Sequence, residues 1–243
     1  MKCNLHIIKV LFKKDIKIMF TNKNFLLMMV MPLAFTLLYM GMFSGDEMDG
    51  QKYFLTTMCQ VFNVLIVPLA GLSMLVAEEK EKHTLRVLML NDVSAIEYLA
   101  SKVLAVLVAM EVSGILIFVI TGTEIGALLP GVFIMTLASI CMLLFGGAFG
   151  MLCKDQMSTG TLTSPLFMLF MFPPLIGAYM GGIIEFLSRL IPTTSMQNLL
   201  AALFGKSSLF SSNTMIDWAV ILVWTLLGTG LFLYIYRKKG FDN

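Results

Sequence analysis

Apolar residues in this chain fall in long blocks separated by short polar stretches, not in the brief alternations of a soluble fold. Six blocks stand out: Asn24–Phe43, Phe54–Ala77, Lys102–Thr121, Ala127–Leu152, Leu162–Ile184 and Ile216–Tyr236. Each runs 20–26 residues, and one bilayer crossing needs about 20. No water is available inside the bilayer to satisfy backbone polar groups, so each block is expected to be a helix. The longer ones tilt or extend beyond the hydrocarbon. The predicted fold class is an all-α integral membrane protein with six transmembrane helices, occupying residues 1–243 as one domain.

Ahead of the first block the period changes. Leu5, Ile8, Phe12, Ile16 and Met19 recur at helical spacing, while Lys9, Lys13 and Lys17 form a separate stripe. Residues 1–23 therefore read as an amphipathic interfacial helix whose lysines face anionic headgroups. It serves either as a structural anchor or as a lipid-sensing element. Met1–Lys23 has no uninterrupted apolar core and no small-residue cleavage site, so insertion is expected to rely on the first span.

Charge placement sets the orientation. The N-terminal segment, the second-to-third connection with adjoining Lys102, the fourth-to-fifth connection and the C-terminal tail together carry 14 lysines and arginines. The opposite connections carry only Lys52, Arg189 and Lys206. The positive-inside rule then puts both termini in the cytoplasm. On the external side, residues 185–215 are long and moderately apolar. Glu185–Leu190 reads as a short helix stopped by Pro192, and Thr194–Gln197 has capping-box spacing before a second helix, Asn198–Phe204, ended by Gly205. Both are too short and apolar for a soluble loop and are expected to fold back as a re-entrant hairpin. Pro192 and Thr194 are candidate translocation-pathway residues there, either in a gate or in a static plug against lipid.

Composition agrees: 58% of residues are hydrophobic and 13% charged, against roughly a quarter charged in soluble chains. That excludes a disordered chain, a nucleic-acid-binding domain and a disulfide scaffold, and argues against a soluble enzyme. Cys3, Cys59, Cys141 and Cys153 are scattered, and His6 and His83 lie far apart, so no metal-site spacing exists. The cysteines read as small apolar packing residues.

The second-to-third connection, residues 78–101, is the most informative stretch. Glu78, Glu79, Lys80, Glu81 and Lys82 carry the second span onward as a charged helix. Leu85, Leu88 and Met89 then form a short apolar stripe, Asn91-Asp92 makes a turn, and Ser94 with Glu97 has capping-box spacing for a new helix. This shape suits docking into a groove on a soluble partner, and equally an interfacial loop with solvated charges.

The segment resembles the signature of ABC-2 type transporter permeases, in which the second span runs into Glu-Glu-Lys-x-x-Gly-Thr-Leu-x-x-Leu-Leu and a Pro-containing turn. Glu78-Glu79-Lys80, Thr84-Leu85 and Leu88 match, while His83 stands where glycine is common and Asp92 where proline is. The six-span plan with both ends inside resembles the family as well. The resemblance implies a permease without its own motor, in which this segment is a coupling helix seated on a separate ABC ATPase subunit. That subunit binds ATP and Mg; this chain holds no cofactor. A second permease chain, identical or different, completes the transporter, and substrate usually moves outward across the cell membrane. Glu79, Glu81, Lys82, Thr84, Leu85 and Leu88 are the residues expected to touch the ATPase.

Other features bear on these readings. Gly205-Lys206-Ser207 mimics the end of a phosphate-binding loop, but Leu200 occupies its first glycine position, so no nucleotide site is expected. Pro165, Pro173 and Pro174 kink the fifth span, and the pairs Gly146/Gly150 and Gly177/Gly181 permit close helix contact, within the chain or between subunits. Glu111 is the one acid near the middle of a crossing, a candidate contact for substrate or an interhelical hydrogen bond. A secondary transporter or channel using Glu111 is the competing class, though internal repeats and several midplane polar residues are not evident. An intramembrane enzyme fails for lack of catalytic constellations. Spans rich in Met and Phe favour an amphiphilic substrate such as a hydrophobic peptide, a drug or a lipid.

Overall fold

The computed structural model describes residues 5–42, 46–84, 88, 93–177 and 182–239, and every regular element among them is helical. Helix α1 (Leu5–Thr21) passes through a one-residue break at Asn22 into α2 (Lys23–Met42). The break is held by the Asn22 side chain, whose Oδ1 accepts from the backbone N–H groups of Asn24 and Phe25 at 2.9 and 3.2 Å.

The second span is longer than its apolar block suggests. It comprises α3 (Asp46–Val64), a π-helical turn at Leu65–Gly71 and α4 (Leu72–Glu81), with Gln51–Glu81 apolar enough to cross a membrane. Pro68 accounts for the widening: it has no N–H to give to Val64, and its ring would strike that carbonyl in a regular α-helix. This is the central helix of the molecule, since 89% of its most apolar window is buried, against 17–22% for α2 and the last two spans.

Four further long helices follow or flank it: α5 (Ala95–Ile120), α6 (Ile125–Leu152), α7 (Gln156–Ile176) and, at the end, α10 (Ser212–Lys239). Two short helices, α8 (Ile183–Arg189) and α9 (Pro192–Phe204), lie between α7 and α10. Among the described residues, six helices have the length and composition of membrane spans. The exposed faces of α2 and α10 carry Leu27, Val30, Leu37, Leu226 and Leu227, as a lipid-facing surface requires.

Two elements differ from the sequence expectation. The fifth span begins at Gln156 rather than Leu162, because Asp155 caps it. Its carboxylate accepts from the Ser158 N–H at 2.7 Å, and the Ser158 hydroxyl stands 3.2 Å from the Asp155 N–H. Hydrogen bonding from the Ser158 backbone N–H and then its hydroxyl holds the Asp155 carboxyl below the usual range. The span ends at Ile176, eight residues short of the expected end. Prolines there leave carbonyls without helical donors, and hydroxyls substitute: Ser164 Oγ donates to Thr161 O at 3.3 Å, and Thr193 Oγ1 to Phe170 O. The second correction concerns Pro192, which starts α9 instead of stopping α8. Proline is suited to the first helical position because its missing N–H would have no partner there. Thr194 accordingly sits inside the first turn and does not cap a helix beginning at Asn198.

Close packing runs through glycines of α6. A Cβ on Gly146 would stand 2.7 Å from the carbonyl oxygens of Pro68 and Leu69, and one on Gly150 would stand 2.7 Å from that of Ser73. The Ser73 hydroxyl bridges the same seam, 2.8 Å from Gly146 O. This glycine pair therefore serves packing within the chain. Gly177 abuts Ser188, also within the chain; Gly181 lies outside the described residues. Cys59, Cys141 and Cys153 are buried, consistent with the packing role read for them.

Candidate functional site

Consecutive residues of an α-helix point about 100° apart, so four charged side chains in a row fan around the axis. Glu78 to Glu81, at the end of α4, do this and reach four different neighbours. Glu78 accepts from Asn22 Nδ2 at 2.6 Å, joining the α1–α2 break. Glu79 accepts from Lys14 of α1 at 2.7 Å and pairs with Lys102 of α5 at 3.1 Å. Lys80 donates to Met151 O at 3.2 Å, in the last turn of α6, where a cation complements the helix dipole. Glu81 accepts from the Gln156 N–H at 3.0 Å, where an anion complements the start of α7. The root of the charged segment is thus clamped to α1, α5, α6 and α7.

Inside the clamp lies a buried ion cluster. Asp15, Glu79 and Lys102 are 3%, 4% and 2% exposed, and Lys102 Nζ stands 3.1 Å from both carboxylates. Ser101 Oγ donates to Asp15 Oδ2 at 3.1 Å, and Lys102 sits 5.2 Å from the centre of the Tyr98 ring. With the half-exposed Lys14, two carboxylates meet two ammonium groups and the cluster is neutral. Burial pushes the Asp15 carboxyl up, and the Lys102 charge pulls it back.

Beyond α4 the chain turns at Lys82 and His83. Lys82 is exposed, and its hydrogen bond to Glu78 and the charge of that group hold its ammonium above its usual range. His83 takes a φ of 55°, in the left-handed region that glycine adopts freely. Its place in the sequence, where the resemblance leads one to expect glycine, now has a backbone reason. A His83→Gly variant should gain up to about 1 kcal/mol, since a side chain in that region costs roughly 1–2 kcal/mol and glycine returns part of this as unfolded-chain entropy. Thermal unfolding in detergent checks it. Thr84 donates to Glu79 O at 3.1 Å, and Leu88 packs, half-buried, on the core. The capping box at Ser94 is present, with Ser94 N–H donating to Glu97 Oε2 at 2.9 Å and Glu97 N–H to Ser94 Oγ at 3.3 Å.

The six residues read as partner contacts therefore separate. Glu81 and Lys82 are exposed, and Thr84 and Leu88 half-buried. Leu85, like Met89 and Asn91-Asp92, lies outside the described residues. Glu79 differs from the others: it is buried within the chain, where Lys14 and Lys102 hold it. The sequence pattern does not single out Asp15, the lone acid of a lysine-rich helix, and counts Lys102 with the adjoining connection although it is buried. Those two unbalanced charges were the available signal.

Deeper in the spans, Glu111 accepts from Thr136 Oγ1 at 2.7 Å, bridging α5 and α6, while its second oxygen is buried without a partner. Further polar residues are buried between the spans. Gln60 and Asn63 donate to Gly114 O and Met110 O at 2.9 and 3.1 Å, and Ser113 donates to Asn63 Oδ1 at 2.6 Å. They stitch α3 to α5, while the Gln60 side-chain oxygen is buried without a hydrogen-bond partner.

At the opposite end from the charged clamp, α7, α8 and α9 enclose a cleft of about 220 Å³ lined by Pro173, Glu185, Arg189, Thr194, Gln197 and Asn198 among others. Thr194 is buried, and its hydroxyl has no hydrogen-bond partner. Pro192 is buried at the start of α9, behind it in sequence by two residues.

Six apolar helices, with a clamped charged junction between the second and third, define a multi-pass helical membrane protein. Residues 45–236 match the family described as ABC-2 family transporter protein, and the chain belongs to that family as a membrane-spanning permease subunit. No curated protein matches the chain.

Proposed function

We propose that the chain, one permease domain over residues 1–243, is the membrane half of an ATP-driven exporter powered by a separate ABC ATPase. The supporting observation is the clamp at the end of α4. A segment that receives force must be rooted in the helices it moves, and Glu78–Glu81 reach α1, α5, α6 and α7. Glu81, Lys82, Thr84, Leu85 and Leu88 are assigned to the ATPase contact, and Glu79 with Lys102 and Asp15 to transmitting its motion inward. ATP and Mg belong to the ATPase, and this chain supplies neither nucleotide site nor catalytic group. A second permease chain faces this one across the pathway.

The 14-to-3 split of basic residues supports both termini and the charged junction lying on the cytoplasmic side, and the plasma membrane is the location proposed with it. On that orientation α8 and α9 form the external re-entrant region within residues 185–215. The cleft beside Thr194, at about 220 Å³, is smaller than the roughly 300–1,000 Å³ of pockets that hold drug-sized ligands. It suits an exit constriction with Pro192 as a rigid pivot, not a resting place for whole substrate. The chain's 21 Met and 19 Phe residues favour an amphiphilic substrate, such as a hydrophobic antimicrobial peptide, a drug or a lipid.

Reversing the exposed charges, as Glu81→Lys with Lys82→Glu, tests the coupling assignment. Co-purified ATPase should fall at least tenfold while the permease keeps its gel-filtration profile; full retention of the ATPase would remove these residues from the interface. The competing class, a gradient-driven carrier, rests on Glu111. The hydrogen bond to Thr136 supports a packing role instead, so Glu111→Gln should leave ATP-dependent transport within about twofold of the parent, since the amide oxygen can still accept from Thr136. A loss of transport with normal assembly would return the carboxylate to the pathway.

A further inference from the structure

We propose that the cleft between α1, α2 and α5 holds one acyl chain of an anionic phospholipid whose headgroup rests on the lysines of α1. The floor of the cleft is Met19, Phe25 and Ala109, all buried, and Phe20, Val108 and Val112 are its exposed walls. Every residue that lines it is apolar. Its volume of about 90 Å³ is below the roughly 150 Å³ of a dry cavity that binds benzene. It therefore takes a stretch of hydrocarbon chain and not a compact solute, and the exposed walls let that chain continue into the bilayer.

Charge selects the headgroup. At 100° per residue, Ile16, Lys9, Phe20 and Lys13 fall within an arc of about 60° on α1, with Lys17 a further 40° round. Ile16 and Phe20 of the cleft and the residues carrying charge thus share one helix face, with Lys9 and Lys13 on its N-terminal side and Lys17 beside the cleft. Lys9, Lys13 and Lys17 are exposed. The one acid of α1, Asp15, is turned away from them onto Lys102 and neutralises none of the three. The same ion pair fixes α1 against α5, so the cleft and the lysines keep their relation. A zwitterionic headgroup would meet this positive face without a net attraction; an anionic one would be held. The site is independent of ATPase coupling, and the orientation proposed above decides only which leaflet supplies the lipid.

The test uses the full chain in phosphatidylcholine nanodiscs with spin-labelled phosphatidylglycerol or phosphatidylcholine of the same acyl chains. Electron paramagnetic resonance then reads the immobilised fraction. Phosphatidylglycerol should be preferred by roughly tenfold or more, the magnitude two juxtamembrane lysines supply. The preference should vanish both in Lys13→Gln/Lys17→Gln and in Ala109→Phe, which fills the cleft but leaves the charges. Val112→Phe, on the open wall, should act like Ala109→Phe and serves if the buried change does not fold. Equal retention of the two lipids by the parent chain would overturn the proposal. So would a preference that survives both phenylalanine variants and is lost only with the lysines, which would mark diffuse surface attraction.

Discussion

Replacing Lys102 with methionine is expected to destabilise the folded chain by about 3–5 kcal/mol, the range seen when one partner of a buried ion pair is removed. Lys102 stands 3.1 Å from both Asp15 and Glu79, and all three are at most 4% exposed. Without the ammonium, two buried carboxylates face each other with only the half-exposed Lys14 to offset them. Adding Asp15→Asn should recover part of the loss, because it removes the carboxylate whose direct ion pair is with Lys102, whereas Glu79 also pairs with Lys14. Denaturant unfolding in detergent micelles, run as a double-mutant cycle over positions 15 and 102, measures the coupling. A change below about 1 kcal/mol, the size of an exposed pair, would show that water screens the cluster. The variant matters for function as well, since the cluster joins α1 to both ends of the segment between the second and third spans.

Gly146→Ala is expected to cost about 3 kcal/mol or to prevent assembly, at the upper end of overpacking penalties. The new methyl would stand 2.7 Å from two backbone carbonyl oxygens, at Pro68 and Leu69, and neither can swing aside as a flexible side chain could. The whole seam between α6 and the second span would have to part, taking the Ser73 hydrogen bond to Gly146 O with it. Gly230→Ala is the internal control. Nothing lies within 4 Å of a Cβ there, so it should be neutral or gain roughly 0.5–1 kcal/mol from the better helix former. Thermal unfolding of the pair separates steric from propensity effects; equal behaviour of the two variants would contradict the seam.

Much of the architecture was legible in the sequence. Block length alone gave six spans, because hydrocarbon thickness fixes helix length. The Ser94–Glu97 box gave the start of α5 to the residue, because a cap is a local interaction. The fifth span was misjudged at both ends. Its start depends on Asp155-x-x-Ser158, an equally local cap lying in a polar stretch that hydropathy discounts. Its early end falls at Gly177, just past Pro173 and Pro174, and the Phe170 carbonyl that Pro174 leaves bare is met by Thr193, a contact across 23 residues. The π-helical turn at Pro68 was invisible for a similar reason: a proline announces a disturbed helix but not how the helix absorbs it. At the candidate site, the charged run was readable as a junction, yet its inward and outward faces were not. Glu79 and Glu81 differ by two positions and about 200° of rotation, so one is buried on Lys102 and the other exposed at the start of α7. Only the neighbours' positions decide that.

Mechanically, the account requires the segment between α4 and α5 to be pushed by a nucleotide-driven partner. Proteoliposomes holding this chain alone, compared with vesicles that also hold its ATPase, test that most directly. The expected outcome is solute movement only when ATPase and ATP are both present, abolished by the Glu81/Lys82 charge reversal. Concentrative movement by the chain alone, in vesicles free of nucleotide, would contradict it.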